Sequence, residues 1–163
     1  MAGETAIAHP KFSLDTSAFI DAWERFYAPD VFPVVWKRMD ELDDAGEIVA
    51  SIEVMSEMEK KSEGVVTWGK NHKSCFIETS NEILLVVREI MAAFPEGFVD
   101  YRRGRSGADP FVIAVARVFD CGVVTAEGPG KKNTIKIPDV CRHYNIRCVG
   151  ILEMFRQLQV EFR

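Results

Sequence analysis

Nowhere does the sequence hold the run of about 20 apolar residues that a membrane-crossing helix requires. Its first residues also lack the basic-then-apolar pattern of a secretory signal, so the expectation is a cytoplasmic protein. Histidine is scarce and scattered, and the four cysteines (Cys75, Cys121, Cys141, Cys148) show no CxxC spacing. His143 near Cys141 is too little for a zinc motif, and the thiols read as free and mostly buried rather than as ligands or disulfides. Positive charge is not in excess either. A net charge of −5 argues against a protein that coats nucleic acid, which usually carries a basic face. It leaves room for a nuclease, because clustered carboxylates lower net charge while holding metal ions.

What is present is an ordinary globular composition and length for one domain, with residues 1–10 as a loose lead-in. Lys11–Leu14 reads as a first strand and Thr16 to about Phe26 as a helix, broken by Ala28-Pro29-Asp30. A second helix runs from Pro33 to Ala45, with Pro33 in its first turn and Gly46 as its stop. Ile48–Ser51 is a second strand, and Ser51 caps a helix from Ile52 to Lys61. Glu63 to His72 reads as helical with Trp68 as its anchor. Thr79 and Glu82 stand at capping-box spacing before a helix that Pro95-Glu96-Gly97 ends. Phe98 to Gly107 is a loop carrying Arg102, Arg103 and Arg105. Asp109-Pro110 opens an apolar helix, Phe111 to Phe119, with the acid at the cap and proline at N1. Cys121–Thr125 is a third strand, and a Gly/Lys-rich loop, Ala126 to Lys136, follows it. Pro138–Tyr144 is a helix, Arg147–Val149 a fourth strand, and Ile151 to about Glu161 a closing helix. Helix separates each strand from the next. The expected fold is therefore α/β, a three-layer sandwich with a mainly parallel sheet of four or five strands.

Four acids fall on one rim of that sheet. Asp15 closes the first strand, Glu57 sits in the helix after the second, Asp109 starts the helix feeding the third, and Glu127 lies just past the third. Ligands bind at the carboxyl ends of strands in such sheets. Asp15 alone could equally be a helix N-cap. Together, carboxylates without histidine or cysteine suit hard cations with oxygen ligands, Mg²⁺ or Mn²⁺. Such ions polarise a phosphodiester and activate water, which is nuclease chemistry. For the second helix, Ile52, Val54, Met55 and Met58 define a buried arc at about 100° per residue, and Glu59 falls inside it. Glu59 also lies furthest from the rim, so depth favours Glu57.

These residues resemble the PIN-domain family. The likeness is carried by Leu14-Asp15-Thr16-Ser17, by Ser51 with Glu57, by Ala108-Asp109-Pro110-Phe111-Val112-Ile113-Ala114-Val115-Ala116 and by Val124-Thr125-Ala126-Glu127. Within the family the chain is most similar to a PIN-like branch of unassigned function related to VapC-type toxins. Ala18-Phe19-Ile20-Asp21-Ala22-Trp23 and Lys136-Ile137-Pro138-Asp139-Val140-Cys141 extend that likeness over nearly the whole chain. The resemblance implies a metal-dependent ribonuclease that hydrolyses RNA with an activated water, the toxin of a toxin–antitoxin pair. It implies Asp15, Glu57 and Asp109 as metal ligands, and Val54…Glu57-Met58 fits the family's Val-x-x-Glu pattern. Glu127 stands where many PIN domains have aspartate, a departure that suits binding through water or a second ion. Thr16, Ser17 and Thr125 are candidates to bond the carboxylates or the scissile phosphate, or else simple caps and strand-end bonds.

Lys131, Lys132 and Lys136, with Arg102, Arg103 and Arg105, are candidates for the RNA backbone, or a solvated charge run. Phe19, Trp23, Phe26, Trp36 and Trp68 are candidates for base stacking or for core. The exposed side of Trp23 to Trp36 is a candidate surface for an antitoxin or a second copy. Rival readings are weaker. A haloacid-dehalogenase-type phosphatase wants an acid where Ser17 stands, a receiver domain wants an acidic pair that is missing, and a dinucleotide fold wants a glycine-rich first turn. A catalytically silent PIN scaffold that binds RNA or protein, or a housekeeping RNA-processing nuclease, remains the alternative.

Overall fold

The computed structural model describes residues 9–99 and 107–163. Five strands, β1 (Phe12–Leu14), β2 (Ile48–Ser51), β3 (Phe76–Ile77), β4 (Gly122–Val124) and β5 (Cys148–Val149), form one sheet in the order β3-β2-β1-β4-β5. Every pairing is parallel. The strands are nearly all apolar and buried on both faces, as a helix-covered parallel sheet demands. Ser13 is the polar exception in β1. It is fully buried, and its hydroxyl donates to the Val112 carbonyl at 2.9 Å, tying a helix to the sheet.

That helix is α6 (Asp109–Val118), which packs on β1, β2 and β4 with α5 (Asn81–Ala93) and α7 (Ile137–His143) beside it. The other layer holds α1 (Thr16–Asp21), α2 (Pro33–Asp44), α3 (Ile52–Lys61), α4 (Glu63–Asn71) and α8 (Ile151–Gln157). Its packing is aromatic. Phe19 meets Trp68 and Phe76 at centroid distances of 5.5 and 6.0 Å, Trp36 meets Trp68 at 5.7 Å, and Tyr27 meets Phe155 at 6.2 Å. The fold is thus a three-layer α/β sandwich with an all-parallel five-stranded sheet, within the architecture expected. Among the described residues no helix is long and apolar enough to cross a membrane.

Several local expectations need correction. The strand β3 is invisible in the sequence, because a two-residue strand carries no periodicity. The cap of α5 is Ser80, whose Oγ accepts from the Ile83 amide at 3.2 Å, so the Thr79/Glu82 box lies one residue out of register. Asp109 is not the cap of α6 either; Ala108 is, and Asp109 is the first residue inside. Proline lacks the amide hydrogen that first-turn positions leave unused, so Pro110 fits one residue deeper than N1. The helix from Thr16 changes to a π-helical turn over Ala22–Phe26, and α8 stops at Gln157, where Leu158 and the positive φ of Gln159 break it before Glu161. Gly46, at φ +70°, ends α2 as expected.

Candidate metal centre at the sheet rim

The chain leaves β1 to build β2 and β3 on one side, then returns to build β4 and β5 on the other. The reversal opens a crevice between the carboxyl ends of β1 and β4, the topological switch point where parallel sheets bind ligands. Asp15 is the residue after β1, and its amide donates to the Val124 carbonyl at 2.8 Å. It occupies the N-cap position of α1, yet its side chain makes no capping hydrogen bond. The carboxylate is turned to the crevice instead. Ser17 Oγ and Thr125 Oγ1 both donate to its Oδ2, at 2.6 and 2.8 Å.

Those hydroxyls also organise the turn after β4. Ser17 Oγ accepts from the Ala126 amide at 3.0 Å, and Thr125 Oγ1 accepts from the Glu127 amide at 3.1 Å. The turn carrying Glu127 is therefore hung on the same two groups that orient Asp15. Asp109 arrives from the first turn of α6. An oxygen from each of Asp15, Asp109 and Glu127 can be chosen so that all three lie within 4.8 Å of one another. Asp15 and Asp109 are buried. Oε2 of Glu127 is buried too and has no hydrogen-bond partner among the described residues.

Glu57 stands beside this triad, not within it. It lines the same cleft of about 220 Å³, where Thr16 Oγ1 donates to its Oε2 at 2.9 Å and Lys61 Nζ to its Oε1 at 3.4 Å. Glu59, inside the buried arc by helical angle, is exposed. Gly69 of α4 lies over Met55 and Met58, and among the described residues the cover ends there, leaving Glu59 open. All three hydroxyl candidates, Thr16, Ser17 and Thr125, bond carboxylates.

Two charged lining residues were not foreseen, Asp21 and Lys61. Each sits four residues after a residue that was singled out, Ser17 and Glu57, and so shares its helical face. That spacing was the available signal. With them the cleft holds five carboxylates and a single lysine among the described residues. Of the basic candidates, Lys131, Lys132 and Lys136 do not line it. Asp139 instead ties their loop to α7, its Oδ2 accepting from the Gly130 and Lys136 amides at 2.8 and 2.9 Å. Arg102, Arg103 and Arg105 lie outside the described residues. Phe19, Trp36 and Trp68 belong to the core, and Trp23 lies against Gly64.

The electrostatics follow from the crowding. Two carboxylates about 5 Å apart repel by roughly 3 kcal/mol at an effective dielectric near 20. Burial pushes the Asp15 carboxyl up to about 6; the nearby Glu127 and Glu57 charges add to the rise, and the Ser17 and Thr125 hydroxyls oppose it. An all-oxygen set with an unsatisfied buried carboxylate oxygen fits a hard divalent cation, which would relieve both the repulsion and the missing bond. The Cys75 thiol is pushed up by burial, and all four cysteines are free.

Set against curated proteins, the chain matches none. The profile of the family described as a domain of unknown function (DUF4411) matches residues 12–162, which takes in all five strands and all four rim acids. The chain belongs to that family.

Proposed function

We propose that this protein is a Mg²⁺- or Mn²⁺-dependent endoribonuclease of the PIN type, the toxin of a toxin–antitoxin pair. One observation carries the reading. Three carboxylates from separate elements meet at the switch point, and a buried oxygen of one of them has no partner among the described residues. Asp15, Asp109 and Glu127 would hold the cation, with Glu57 beside them. A divalent cation there supplies Lewis acidity toward a phosphodiester and a lowered pKa for a water. The protein's part is positional. Ser17 and Thr125 fix the Asp15 carboxylate, Thr16 fixes Glu57, and Lys61 is the basic residue lining the cleft among the described residues, placed to meet an incoming phosphate. RNA is the substrate, a protein antitoxin the restraining partner, and a homodimer the assembly the family likeness suggests.

The direct test is cleavage of RNA by purified protein with Mn²⁺ and with excess chelator. Metal-dependent cutting is expected; activity unchanged in chelator would sink the assignment. Binding of Mn²⁺ without any cleavage would favour the silent scaffold instead.

The toxin role has its own test. Expression of the protein alone should arrest growth, and Asp15→Ala should abolish the arrest. Equal growth with the two forms would point to a housekeeping processing enzyme.

The glutamates of α3 give a finer check. Glu57→Gln is expected to lower cleavage on the order of a hundredfold, the loss typical of a residue that supports a metal site. Glu53→Gln and Glu59→Gln should stay within about twofold of wild type, since surface changes away from such features are small. A dead Glu59→Gln with an active Glu57→Gln would reverse the assignment along this helix.

A further inference from the structure

A second cleft, of about 490 Å³, opens directly beside the acid rim. Asp21 and Glu127 line both clefts, so the two share a wall. The second is different in kind. Its floor is built from Phe26, Tyr27, Ile151 and Leu152. Phe26 is 56% exposed and Leu152 49% exposed, so together they leave an apolar face open in the cleft. Tyr27 is held rigid by edge contacts to Phe32 at 6.0 Å and Phe155 at 6.2 Å, while Phe26 reaches it at 6.4 Å. Of the five aromatic residues that were candidates for stacking, Phe26 is the exposed one.

The charges say what such a cleft will accept. Its polar wall is anionic, from Asp21 and Glu127, so it repels a phosphate and receives an uncharged planar group. Among the described residues, the Asp21 carboxylate accepts no hydrogen bond; its nearest cation is Arg25 Nε at 4.0 Å, an ion-pair distance only. A carboxylate is acceptor-only. On its Watson–Crick edge guanine presents two neighbouring donors, N1–H and the N2 amino group, to the two oxygens of a carboxylate. Adenine, cytosine and uracil each set an acceptor beside their donor, which the second oxygen would repel.

We propose that this cleft seats the base flanking the scissile phosphate, stacked on Phe26 and against Leu152, and that Asp21 selects guanine there. The proposal rests on the ribonuclease reading above and deepens it. A strand laid across Asp15, Asp109 and Glu127 brings one neighbouring nucleotide to the Asp21 side. Stacking on an aromatic side chain binds any base, and the carboxylate then chooses among them. Asp21 is thus a specificity residue, distinct from the triad that holds the cation.

The test uses the full chain with Mn²⁺ and short oligoribonucleotides differing in a single base. Wild type should cut bonds flanked by guanine about tenfold faster in kcat/KM than bonds flanked by other bases, the size of one bidentate base contact. Phe26→Ala should raise KM about tenfold for all substrates, with Mn²⁺ affinity unchanged. Asp21→Asn should erase the guanine preference, because its amide offers a donor beside an acceptor. Cleavage by wild type without base preference overturns the subsite and leaves the nuclease standing. Absence of cleavage by metal-bound wild type overturns the nuclease reading and the subsite with it. If Asp21→Asn loses Mn²⁺ as Asp109→Asn does, Asp21 is a ligand and the proposal fails. If Phe26→Ala leaves the kinetics unchanged but alters the mass in sedimentation, the face belongs to a second copy, and the proposal fails again.

Discussion

Asp109→Asn is expected to lower Mn²⁺ affinity on the order of a hundredfold and to remove nearly all RNA cleavage, with the fold intact. The side chain is buried within 4.8 Å of the Asp15 and Glu127 oxygens, so its charge acts where a cation would sit. Asparagine has the same shape and keeps one acceptor oxygen, which leaves packing untouched. Asp109 is the first residue inside α6 rather than its cap, so the substitution also removes an anion from the first turn, a loss of about 0.3–1 kcal/mol. Relief of repulsion from Asp15 and Glu127 offsets that loss, since each such pair costs roughly 3 kcal/mol. Metal-free melts of the variant and of wild type then report whether the carboxylate also holds the fold. The measurements are Mn²⁺ titration by calorimetry, cleavage of a labelled RNA, and thermal melts without metal. Full cleavage by Asp109→Asn would remove this carboxylate from the site. A collapse of the metal-free melt would mean that its role is structural.

The sheet rim was legible before any coordinates because it is built from the loudest local signals in the chain. Asp15, Asp109 and Glu127 each lie at or just past a strand end or a helix start, and those boundaries are marked by apolar runs, proline and small hydroxyl residues. Asp15, Asp109 and Glu127 could thus be brought together from topology alone. What was not legible depends on longer-range packing. The two residues of β3 carry no pattern, and they form a strand because β2 offers an edge, pairing Ala50 with Phe76 and Ser51 with Ile77. Helical angle alone chose Glu59 over Glu57, because it assumes that the buried arc runs the full length of α3. In fact the arc stays covered only as far as Met58, which meets Gly69 of α4 beside Met55, and Glu59 next to it is exposed. Asp21 carries no strand-end or cap signal of its own and reaches the cleft only because it lies one helical turn after Ser17. That Ser17 and Thr125 donate to the same oxygen, Asp15 Oδ2, is legible only in the fold, where the two hydroxyls, 108 residues apart in sequence, sit 3.2 Å from one another.

The crowding of the rim should also be visible as a pH dependence of stability. The Asp15 carboxyl is raised by burial from an ordinary value of 3.8 to about 6 in the folded chain. Folding therefore favours its protonated form. Its favourable contribution is complete below about 3.8 and is lost as the pH rises through about 6. Two such units correspond to about 3 kcal/mol. In a chain of this size that is a melting shift of about 6–12 °C. Metal-free wild type should thus lose this much more between about pH 3 and pH 7.5 than Asp15→Asn, whose neutral amide cannot ionise; those pH limits bracket the shift from 3.8 to about 6. Comparing the two proteins cancels the carboxylates remote from Asp15. Mn²⁺ should reverse the loss at pH 7.5 in wild type, because an ion bound only to the folded state stabilises it by mass action, and should do little for Asp15→Asn. Below pH 6 proton and cation compete for the same carboxylate, so apparent Mn²⁺ affinity should fall about tenfold per pH unit there. The measurements are melts at stepped pH with chelator or Mn²⁺. Parallel pH profiles for the two proteins would show that Asp15 ionises freely in the fold, and a wild-type melt unmoved by Mn²⁺ at pH 7.5 would remove the cation from this rim.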